Sequence, residues 1–177
     1  MAQTPVSTCT CPQALPAWDG RDIDLGGHAV HRIAMPTPFS MPMAFDLYRQ
    51  RQQQELERLE LHESSPGLVL MRTGLWRGEV MRLLTTDTHS LSRHVQRLPS
   101  PYWVRAVLHH GGIGTLRRTI TAMQSALFDS GKTPKALFLA YLTCPVCAEA
   151  RGGEQILALR HWVPNQKLTA KLQKRAS

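Results

Sequence analysis

The spacing of apolar side chains divides this chain into an aperiodic beginning and a series of periodic segments. From Met1 to Pro42 the apolar residues are interrupted by Pro5, Pro12, Pro16, Pro36, Pro38 and Pro42, with Gly20, Gly26 and Gly27 between them. Proline lacks the amide donor and fixes φ, so residues 1–42 are expected to form an irregular arm holding at most a short strand at Ala29–Ile33. A helical period begins at Phe45, with Phe45, Tyr48, Leu56 and Leu59 on one face and Gln52 interrupting the stripe. Asp46 suits the first turn, Arg51 and Glu55 are spaced to pair, and Pro66-Gly67 ends the segment. Leu68–Met71 and Val80–Leu84 flank a glycine-containing turn at Thr73–Gly78, the pattern of a hairpin.

Helical spacing returns after His89 through Leu91, Val95 and Leu98, and Pro99-Ser100-Pro101 closes it. Tyr102–Leu108 reads as a short helix, with a strand as its rival. Leu116, Ile120, Met123 and Leu127 then mark the clearest helix, with Thr115 as its N-cap and Gly131 as its end. Thr133-Pro134 opens either a buried helix or a buried strand over Lys135–Leu142. Glu154–Trp162 and the segment after Pro164 read as helical. The predicted architecture is a mainly helical single domain over residues 43–177, with one small β-hairpin near 68–84 and no internal repeat at a fixed period.

Composition bounds this picture. The 177 residues, 42% hydrophobic, suffice for one domain with a core. No apolar run reaches the length of a membrane span, and no secretory signal is evident, so a cytoplasmic protein without membrane partners is expected. The formal net charge of +8 points to polyanions, because each Lys or Arg set beside a phosphate releases counterions. Arg117 and Arg118 fall in the first turn of the strongest helix, where they oppose the helix dipole unless they meet an anion. With Tyr102–Leu108 as a preceding helix, this unit would be a helix-turn-helix. Lys167, Lys171, Lys174 and Arg175 form an amphipathic basic tail that adds candidate phosphate contacts.

Cys144-Pro-Val-Cys147 has the spacing of two thiolates on one tetrahedral zinc. A complete structural site needs more ligands, and Cys9, Cys11 and His161 are the candidates; a redox dithiol and ordinary reduced thiols are the alternatives. Only 30 residues follow Cys147, too few for the remainder of a thioredoxin-like fold. Four cysteines are too sparse for a disulfide scaffold.

His109-His110-Gly111-Gly112-Ile113-Gly114-Thr115 resembles the His-Gly-Gly-x-Gly-Thr stretch of nucleotide-sugar glycosyltransferases with two Rossmann domains. That resemblance implies a diphosphate held at the helix N-terminus. It covers about 25 residues, and Arg117-Arg118 stand where that family has an acidic residue. No metalloprotease pattern and no Ser-His-acid order is present. The leading functional expectation is therefore a nucleic-acid-binding regulator or accessory subunit of a nucleoprotein complex. One alternative is a small enzyme acting on a phosphorylated or nucleotide-linked substrate at His109–Thr115, and the other is an interaction module for an acidic protein partner.

Overall fold

The computed structural model describes residues 11, 12, 14 and 17–176. It corrects the mainly helical expectation: the molecule is an eight-stranded antiparallel curled sheet carrying four short helices. In chain order these are β1 (Asp22–Asp24), β2 (Ala29–Pro36), α1 (Phe45–Arg58), β3 (Leu70–Arg72), β4 (Arg77–Leu83), β5 (Val95–Arg97), β6 (Trp103–His110), α2 (Leu116–Asp129), β7 (Lys132–Tyr141), α3 (Pro145–Ala148), β8 (Gln155–Pro164) and α4 (Gln166–Ala176). Within the stretch expected to be an irregular arm, residues 22–24 and 29–36 are strands of the sheet.

The sheet order β1-β6-β8-β7-β3-β4-β2-β5 contains a duplication. The units β2-α1-β3-β4 and β6-α2-β7-β8 each run strand, 14-residue helix, strand, strand, and each places its third strand between the first and second. They meet where β3 pairs with β7 at Met71↔Leu139. The strand leading into each unit crosses to the other: β1 pairs with β6, and β5 pairs with β2.

Three of the segments read as helical, two of them with a strand as the rival, are strands of the sheet, for one physical reason. Trp103–His110 and Gln155–Pro164 pair with each other from Val104↔His161 to His110↔Gln155, and Lys132–Tyr141 pairs with the far side of β8. The central strands are covered on both faces, so their sequences are near-continuous apolar runs rather than alternating ones. Around Val95 only a three-residue edge strand forms. The expected hairpin is present as β3-β4, extended into the larger sheet.

Alternation along the strands assigns two faces. Val30, Leu70, Met81, Leu83, Val104, Ala106, Phe138, Leu157 and Leu159 pack in one cluster inside the curl, which joins both units. The opposite face is covered by the helices. Phe45 and Tyr48 of α1 lie on Ile33, Met35, Val69, Met71 and Val80, while Leu116, Met123 and Leu127 are the buried face of α2. Gly131 ends α2 at φ +71, and a Cβ there would meet Thr169 of α4, so both backbone and space select glycine. Asn165 starts α4 by accepting the Leu168 N–H at 3.1 Å. No helix among the described residues is long and apolar enough to cross a membrane.

Candidate functional site

The inner face of the curl opens into a groove of about 560 Å³ lined by residues of both units, including Arg32, Arg72, Arg97, Tyr102, Lys135 and His161. Each arrives from a different strand or strand end, and the antiparallel pairing with a two-residue side-chain period points them inward together. Glu79 of β4 sits between two of the cations, with Oε1 3.1 Å from Arg72 Nε and 3.8 Å from Arg32 Nη2. Arg97 spends its guanidinium on the carbonyls of Gly27 and Thr88, at 3.0 and 3.2 Å. Lys135 is exposed and has no partner among the described residues, which leaves a cation on the groove rim.

His161 and Tyr102 form a stacked pair, with centroids 4.0 Å apart and planes 5° from parallel. Nδ1 of His161 lies 3.0 Å from the Trp103 carbonyl oxygen. A carbonyl only accepts, so Nδ1 carries the proton, and in the neutral ring Nε2 keeps its lone pair. Burial, above all, pushes the Tyr102 phenol above its ordinary range, so it stays a protonated donor beside Arg32. The groove thus combines cations, a phenolic donor and an imidazole base whose tautomer is fixed by the backbone.

A second polar cluster lies on the opposite face, beneath α1. Arg82 donates from Nε to Gln52 Oε1 at 3.1 Å and from Nη1 to Gln53 and Glu63. Because arginine only donates, the Gln52 amide nitrogen faces His31, 3.2 Å from Nδ1 and 3.0 Å from the His31 carbonyl. His31 Nδ1 therefore accepts, and Nε2–H faces Glu55 Oε2 at 3.1 Å, with His94 Nδ1 2.8 Å from the same oxygen. His31, Glu55 and His94 are close enough to share a metal ion. The tautomer set by Gln52 opposes this, because Nε2 must lose its proton to bind a metal.

The candidate residues named from sequence are scattered. Arg117 and Arg118 are exposed in the first turn of α2, but the segment before them is strand β6, so there is no helix-turn-helix. Lys167, Lys171 and Lys174 are exposed on α4, which begins beside the C-terminus of α2, where Asn165 N–H donates to the Gly131 carbonyl. The 14 residues of α2 therefore hold the two basic groups roughly 21 Å apart. Arg175 belongs to α4 as well. The His109–Thr115 turn joins β6 to α2, and its chemistry is internal. Thr115 donates to the Gly112 carbonyl and so accepts from His109 Nε2, while Thr119 occupies Nδ1 at 2.8 Å.

Cys11, Cys144 and Cys147 do come together, with sulfur atoms all within 4.8 Å of one another. His161 is not among them: it lies five positions along β8 from Ile156, the partner of Tyr141, roughly 17 Å away. Cys9 lies outside the described residues. Arg32, Arg72, Glu79, Tyr102 and Lys135 were not singled out by sequence reasoning. The one sequence signal they carry is a charge set inside an apolar run, as in Val30-His31-Arg32-Ile33.

The model of the family described as bacterial hydrolase matches residues 1–161. Among curated proteins nothing matches the chain. In fold the molecule is similar to the crystal structure of the EcmrR C-terminal domain, with a TM-score of 0.61 and 11% identity over 81% of this chain and 96% of that one.

Proposed function

The chain belongs to the bacterial hydrolase family, and we propose that its inner groove is the hydrolytic site, acting on a small anionic substrate with His161 as general base. The observation that carries this reading is the 3.0 Å bond from His161 Nδ1 to the Trp103 carbonyl, which leaves Nε2 able to take a proton from water in the groove. Lys135 and Arg32 would hold the substrate's anionic group, and the Tyr102 hydroxyl would donate to the oxygen on which charge develops. Among the described residues no serine or cysteine lines the groove, so direct attack by an activated water fits better than a covalent intermediate.

The test is turnover by the purified chain across small carboxylate-bearing esters and amides and phosphate monoesters. One class is expected to be hydrolysed, and His161→Gln to lower kcat by about a hundredfold or more with the fold retained by circular dichroism. No turnover of any class, with tight binding of the same compounds, would make the groove a binding site instead.

A second reading, a regulator or accessory subunit contacting nucleic acid, is favoured by the charge of +8 and by the exposed Arg117, Arg118, Lys167, Lys171 and Lys174. Its affinity for duplex should fall steeply with salt and fall further in Arg117→Ala/Arg118→Ala. The absence of binding at low salt would remove it.

A further inference from the structure

We propose that Cys11, Cys144 and Cys147 supply three thiolates of a structural zinc site that staples the N-terminal segment to the turn between β7 and β8. The pair on α3 already has the required spacing. Cys144 Sγ and Cys147 Sγ are 3.7 Å apart, and two sulfurs on a tetrahedral zinc with bonds of about 2.3 Å are separated by about 3.8 Å. A disulfide would need about 2.05 Å. The Cys144 N–H donates to Cys147 Sγ at 3.3 Å, a bond that strengthens when the sulfur is a thiolate.

The third sulfur comes from the far end of the chain, and an independent bond fixes its segment in place. Arg151 Nη1 donates to the Pro12 carbonyl at 2.8 Å and to the Leu142 carbonyl at 3.3 Å, tying both sides of the corner together. Cys11 is buried at this corner. On binding, each cysteine releases its thiol proton to solvent and its sulfur bonds the ion. The corner is remote from His161, so the site is structural and takes no part in hydrolysis.

The test uses the full chain purified without a histidine tag under reducing conditions. One zinc per chain is expected, and cobalt substitution should give the visible absorption of a tetrahedral thiolate site. Chelation should lower Tm and expose the cysteines to thiol reagents, and added zinc should reverse both. Cys144→Ser and Cys11→Ser should each lose the ion. Wild-type chain holding less than about a tenth of an equivalent after reconstitution, with the same Tm in zinc and in chelator, overturns the site. A Cys144–Cys147 disulfide in reduced protein does the same. Zinc retained at full affinity by Cys11→Ser overturns the staple.

Discussion

The two halves of this molecule share one topology and stabilise it by different chemistry. Under α2 the second half is mainly apolar, with Leu116, Met123 and Leu127 buried against β6 and β7, and the buried His109 imidazole is held there by the Thr115 and Thr119 hydroxyls. Under α1 the first half buries Gln52 between His31 and Arg82, and Glu55 and Glu63 complete a charged network. The helix-sheet geometry is the same, so it does not dictate what fills the seam. An apolar seam tolerates changes of pH, whereas a hydrogen-bonded one depends on the protonation of each member.

The largest expected effect is on the polar side. Arg82→Ala leaves Glu63 and Gln52 buried without their donor and should cost about 3–5 kcal/mol in chemical denaturation. Leu127→Ala, fully buried under α2, should cost about 3 kcal/mol, with the same loss at pH 5 and pH 7.5. Equal pH sensitivity of both variants would erase the contrast between the halves.

Acid should unfold the first half before the second. Burial holds the His31 imidazole below its ordinary value despite Glu55 beside it, so the unfolded chain takes up a proton first as pH falls through about 6.5. Stability present above that pH is then lost toward the lower folded value. Burial alone would raise the Glu55 carboxyl, but the His94 hydrogen bond and the two imidazoles outweigh it and hold it below the ordinary 4.5. Its contribution is present above that value and lost as pH falls through the folded one. Hydrogen exchange at pH 5 should therefore accelerate in α1 and β2 while α2 and β7 stay protected.

On the outer edge of the second half the opposite holds. Burial raises the Asp22 carboxyl, but Arg105 and Lys132 more than compensate and bring it to about 2. Its stabilisation, about 1.5 kcal/mol once solvent screening is allowed for, is present above pH 3.8 and is lost as pH falls from there to about 2. Asp22→Asn should remove it at pH 7. The smallest effect is Gly131→Ala, about 1 kcal/mol from left-handed backbone and contact with Thr169, read as a lower urea midpoint.

The same contrast explains how much could be read from the sequence. α1 and α2 are amphipathic, with one covered and one wet face, and both were legible from their period, as was the β3-β4 hairpin. β6, β7 and β8 lie between helices and inner core, so Leu137–Leu142 and Ile156–Leu159 show no two-residue alternation and borrow a helical look. The duplication was invisible because the halves share strand order but not side chains. The cysteine corner was partly legible, since Cys144-Pro-Val-Cys147 is local and Cys11 is named by its type. The groove was not legible: its charges come from β2, β3, β4, β7 and β8, and only the register of the sheet assembles them.

The hydrolytic groove proposed around His161 depends on this register. The measurement that bears on it most directly is the steady-state comparison of His161→Gln and Lys135→Ala on one hydrolysed substrate. Loss of kcat in the first and a raised KM with nearly unchanged kcat in the second is the predicted result. Wild-type turnover retained in full by His161→Gln would contradict it.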